Sequence, residues 1–125
     1  MAPPEVAGLE THRKTGRISQ LLDAAFGFFV WTIHFLAIYI ATALACVLGL
    51  GAASQGTRAT FLTVLGLVTV SAAAVVVLHA LLRYRQQRDV PEQRFRVSVT
   101  VGCDAIATLA IAGQLLPILL VPLCA

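Results

Sequence analysis

The chain carries little charge. Asp, Glu, Lys and Arg make up 12% of its 125 residues, against 58% that are hydrophobic. A soluble domain of this size cannot bury so much apolar surface and still cover itself with so few charges. Also missing are a CxxC pair, a CxxCH haem-attachment signal, a Gly-rich phosphate loop and a catalytic Ser or Cys motif. These absences leave no residue signature for a soluble redox enzyme, a nucleotide-binding domain or a hydrolase. The first twenty residues, MAPPEVAGLETHRKTGRISQ, also lack the signal-peptide order of basic start, short apolar core and small-residue cleavage site.

What is present is apolar sequence in three long runs. Each exceeds the roughly 18 residues needed to cross a hydrocarbon core about 30 Å thick. The expected class is all-α, an integral membrane protein of three transmembrane helices, with spans at about 18–50, 59–82 and 95–124. Helices are required because unpaired backbone groups in lipid cost several kcal/mol each. Residues 1–17 are expected to form an N-terminal cytoplasmic tail, poorly ordered to Thr15, and 18–125 the membrane domain. GAASQGT (Gly51–Thr57) and RYRQQRDVPEQRFR (Arg83–Arg96) then serve as connectors, and no room remains for a soluble domain.

Basic residues set the expected orientation. Of nine Lys and Arg, only Arg58 falls between the first and second spans, just after GAASQGT; Arg13, Lys14 and Arg17 precede the first span, and the other five lie from Arg83 to Arg96. Cytoplasmic loops hold the excess of positive charge, so the N-terminus is expected inside and the C-terminus outside. The net charge of +3 is thereby explained by topology without a nucleic-acid partner.

Helical rise then places the polar residues by depth. Cys46 and Cys124 both fall near the outer ends of parallel helices, on the oxidising side in bacteria, so a disulfide between them is expected; the other reading is two small packed thiols. Cys103, near the inner end of the third span, is expected to be packed. With the outer cysteines level, Asp104 lies about 30 Å inward, near the height of Phe26 and His79. His79 and Asp104 are therefore a candidate buried pair, read as a helix clamp or as a proton relay or quinone contact. His34 lies about 18 Å inward of Cys46, near mid-membrane. Its candidate partners are Gln114 and Thr108, with haem ligation by His34 as the sharper alternative. SAAAVVV and Gly66 on the second span are expected to admit a close backbone, and Trp31 to pack on a neighbouring helix. Pro117 and Pro122 are expected to bend or end the third.

WTIHFLAIYIATALAC (Trp31–Cys46) and QLLPILLVPLC (Gln114–Cys124) together resemble a family of small bacterial membrane proteins encoded beside haem-copper cytochrome oxidase subunits. That family has a Trp-x-x-His-Phe element followed by Ala-Cys in its first span, and a Pro-rich ending that terminates in Cys. The matching residues are Trp31, His34, Phe35, Ala45, Cys46, Gln114, Pro117, Pro122 and Cys124; the middle third matches only in being apolar. The resemblance implies a non-catalytic accessory subunit or assembly partner of a respiratory terminal oxidase in the bacterial inner membrane. Haem and copper would sit in its partner subunits, none would be bound by this chain, and lipid would be its other partner.

THRKTGR (Thr11–Arg17) is in turn similar to the His-Arg-x-Ser/Thr-Gly element of the cytochrome b anchors of succinate dehydrogenase, which also have three spans. That likeness implies a haem- or quinone-binding anchor. Here ISQLLDAAFG intervenes before the apolar run, and the second span lacks that family's His-rich, Gly-containing haem signature. A small transporter or oligomeric channel is a third class, although one chain supplies few intramembrane charges to line a path.

Overall fold

The computed structural model describes residues 4–122 and 124, except for the side chains of residues 5, 6 and 12. The described chain is helical, and three of its helices are long and apolar enough to cross a membrane. Prolines are absent between Pro4 and Pro91, and this spacing accounts for much of the layout. The first helix, α1, runs unbroken from Pro4 to Val47, with proline at its first position, where its missing N–H costs nothing. At 1.5 Å per residue its 44 residues extend about 66 Å, roughly twice a hydrocarbon core.

The expected disordered tail to Thr15 is therefore corrected: from Pro4 onward the segment is helix. Glu10 and Lys14 stand in the favourable i, i+4 order. The hydroxyls of Thr11, Thr15 and Ser19 donate to carbonyls of their own helix, at 2.9 Å each, a local bond that a helix accommodates without being stabilised by it.

α1 ends where Gly49 takes a left-handed φ of 72°, and its N–H bonds the Cys46 carbonyl. A short 3₁₀ turn, Leu50–Ala52, leads to Ser54. The Ser54 hydroxyl accepts the Thr57 N–H and caps α2, Gln55–Gln87. This helix continues through Arg83 and Arg85, which were expected in a polar loop. The true connector is shorter and is set by Pro91: Val90 before it is forced to extended geometry, and a 3₁₀ turn, Pro91–Gln93, opens directly into α3 at Arg94.

The third span is two helices, not one. α3 covers Arg94–Gly113 and α4 covers Leu115–Leu120. Pro117 lacks the N–H that would bond the Gly113 carbonyl, and its ring crowds that carbonyl. The chain tightens there into a turn, with the Gln114 N–H donating to the Ile111 carbonyl.

α3 packs against both α1 and α2. Its buried residues are Val97, Thr100, Asp104, Ala107 and Ile111, a 3-4-3-4 spacing that keeps one seam turned inward. Val76, Ala107 and Ile111 form the apolar centre, with Val30, Trp31, Ala72 and Ala73 packed against them. The alanines of SAAAVVV thus admit a neighbour as expected, and Trp31 packs within this chain. Gly66 does not serve that purpose, since a methyl group added there would meet nothing within 4 Å. Cys103 is likewise exposed, not packed, because it sits one position off the seam marked by Asp104.

Cys46 and Cys124 form a disulfide with Cα atoms 5.4 Å apart, joining the end of α1 to the chain beyond α4. Closing a loop across a sequence separation of 78 contributes about 4–5 kcal/mol in the chain-entropy account. Alkylation of the unfolded protein without reductant should therefore label one thiol, Cys103. Cys46→Ser or Cys124→Ser should raise the count to two, whereas Cys103→Ser should lower it to zero, as read by intact mass.

Candidate functional site

Polar side chains enter this apolar bundle at two levels. The lower is built on Asp104, which is fully buried on α3. His79 of α2 meets it, Nδ1 to Oδ2 at 2.8 Å. The imidazole lies against Phe26 of α1, with ring centroids 4.2 Å apart. All three helices therefore contribute to one contact. This contact is what makes a carboxyl group tolerable in a buried apolar setting, where a polar group left without a partner is costly.

The other Asp104 oxygen, Oδ1, has no hydrogen-bond partner and is turned toward Gly27 of α1. A methyl group at Gly27 would collide with that oxygen and crowd both the Asp104 Cα and the Ala107 side chain. Gly27 is thus a point of close approach between α1 and α3. One helical turn farther toward the basic end, Arg83 of α2 donates to Asp23 of α1, a partly exposed ion pair. Such exposure holds its contribution to about 1 kcal/mol or less.

The upper level is at His34, 4% exposed on α1. Its bonded partner is Thr69 of α2, Nε2 to Oγ1 at 3.1 Å. The Thr69 hydroxyl donates to the Leu65 carbonyl at 2.9 Å, so its oxygen accepts from His34, and the proton of a neutral ring is assigned to Nε2. Gln114 approaches the imidazole from the α3–α4 break, yet Gln114 Oε1 and His34 Nδ1 both remain without a hydrogen-bond partner. Of the two expected partners, Gln114 is therefore the one beside the ring, while the expected bond to Thr108 is corrected. Thr108 instead donates to the Asp104 carbonyl at 2.8 Å. Matching heights on α3 alone overlooked Thr69, whose hydroxyl can bond its own helix and still accept from a neighbour.

These residues do not fit a haem. Nε2 of His34 is occupied by Thr69, and the ring is enclosed between helices instead of facing one of the clefts. Thr69 and His79 are ten residues apart on α2, about 15 Å along the axis, so the two histidines do not stand on opposite sides of one macrocycle. Within the THRKTGR element, Thr11 and Thr15 are helical, while the side chain of His12 lies outside the described residues.

Three contributors escaped the sequence reading. Thr69 looked like one more span residue, and Arg83 was assigned to a loop. Gly27 had left a signal: a lone glycine among phenylalanines, FGFF, marks a position where bulk is excluded.

Comparison of the chain with protein-family models, curated proteins and solved structures finds no match.

Two glycine substitutions separate close approach from mere helical composition. Gly27→Ala should destabilise the purified chain by about 1–3 kcal/mol through overpacking. Gly66→Ala, into open space, should be neutral or stabilising by up to about 1 kcal/mol from helix propensity. Thermal unfolding in detergent reads both; equal tolerance would remove Gly27 as the approach point.

Proposed function

We propose that the chain is a non-catalytic accessory or structural subunit, or an assembly partner, of a bacterial respiratory terminal oxidase of the haem-copper class. It spans the inner membrane three times, with its N-terminus cytoplasmic and its C-terminus periplasmic. Electron transfer and oxygen reduction belong to partner subunits, which hold the haem and copper.

The observation that carries the structural part is the contrast between interior and perimeter. Inside, His79 with Asp104 and His34 with Thr69 tie helices to one another. Outside, Leu21, Phe28, Ile33, Leu67, Ile106 and Leu109 are each more than half exposed. A bundle whose polar groups hold its own helices, and whose outer surface is apolar, suits a subunit that lies against lipid and larger membrane proteins. The oxidase assignment rests on the Trp31–Cys46 and Gln114–Cys124 resemblance.

The orientation rests on two features at opposite ends. Arg83, Arg85, Arg88, Arg94 and Arg96 cluster around the α2–α3 connector, the cytoplasmic side by the positive-inside rule. The disulfide lies at the other end, which suits an oxidising compartment.

Purification in gentle detergent through an N-terminal tag, followed by mass spectrometry, should recover haem-copper oxidase subunits in stoichiometric amounts. His34→Leu should reduce that recovery while leaving the haem spectrum of the retained complex unchanged. Recovery of succinate dehydrogenase subunits, or of this chain alone, would overturn the assignment.

A further inference from the structure

At the basic end, where α1, α2 and α3 converge, an open cleft of about 430 Å³ is lined by both polar and apolar groups. Arg17 of α1 and Arg96 of α3 border it, together with Gln20, Gln87 and Gln93. Among the described residues neither arginine takes part in an ion pair. The acidic residue of the cleft, Asp23, already binds Arg83, so its charge does not cancel theirs. Leu21, Phe95 and Val99 complete the lining with apolar surface.

We propose that this cleft binds the phosphodiester of an anionic phospholipid, with Arg17 and Arg96 on the phosphate and the acyl chains along Leu21, Phe95 and Val99. The inference rests on the membrane-spanning reading and not on the oxidase assignment. Arginine offers paired N–H donors to phosphate oxygens, and the glutamine carboxamides add neutral donors for the glycerol and headgroup oxygens. The two arginines come from different helices, so the phosphate bridges α1 and α3 on the side where basic clefts between helices meet anionic headgroups. A choline headgroup brings its own cation to a site with two unpaired positive charges. The cleft therefore selects phosphatidylglycerol over phosphatidylcholine.

The test is native mass spectrometry of the full chain released from nanodiscs of equal phosphatidylglycerol and phosphatidylcholine. Wild type should retain phosphatidylglycerol preferentially. Arg17→Gln with Arg96→Gln should reduce that preference on the order of tenfold. Arg13→Gln with Arg85→Gln removes the same charge outside the cleft and should leave it intact, and an intact Cys46–Cys124 bond verifies the fold of each variant. Equal loss in the two double variants would reduce the effect to diffuse surface charge and overturn the site, as would the absence of preference in wild type. Displacement of the lipid by millimolar inorganic phosphate would identify a free-phosphate site and overturn the lipid assignment.

Discussion

The constraint on which the bundle depends is the burial of one carboxyl group in an apolar interior. Asp104 has no access to solvent, so a partner must be brought to it, and His79 is that partner. The histidine in turn needs a wall, which Phe26 supplies. Gly27, the next residue, removes the bulk that would otherwise hold α1 away from the Asp104 backbone. The relative depth of all three helices follows from this single meeting. Sliding α2 or α3 by a turn would separate the pair, at the cost of an unsatisfied buried polar group, and sliding α1 would put a bulkier residue where Gly27 now clears Asp104.

The opposite end is fixed by a different kind of bond. Pro117 stops α3 from continuing as a straight rod, and the chain after α4 returns to Cys46 through the disulfide. Between the two ends, His34 and Thr69 tie α1 to α2. This interhelical tie matters because α1 and α2 share less of their length with each other than either shares with α3. The clamps are thus distributed so that each helix pair is held at some level.

Much of this was legible in the sequence, for physical reasons. Span number follows from apolar run length, the span ends put Cys46 and Cys124 on the same side, and with those two taken as level a constant helical rise turned sequence distance into depth and put His79 near Asp104. Depth is one coordinate only. It does not say which neighbouring helix a side chain faces, and this is why His34 was matched to α3 when its bond goes to Thr69 on α2. Polar composition also misled at the helix ends: Arg83 and Arg85 read as loop, and Thr11 and Thr15 as a frayed tail. Nothing there breaks a helix, and a charged or hydroxylated segment can extend one beyond the apolar core. The glycines show the same limit. Gly27 and Gly66 are equivalent as letters, but only Gly27 lies on the face that meets another backbone.

On the membrane-spanning reading proposed above, lipid chains are as apolar as leucine, so burying Val76, Ala107 and Ile111 against one another would gain little over leaving them in lipid. Packing at small residues, a few polar bonds and one covalent link therefore carry the specificity of the arrangement. This division of labour accounts for the small apolar centre and the broad exposed perimeter. Since the perimeter is not needed to hold the helices in register, its side chains are free to match whatever surrounds them. The same freedom makes the basic end the place where charge acts outward: Asp23 and Arg83 satisfy each other, and Arg17 and Arg96 keep their charge for a ligand outside the chain.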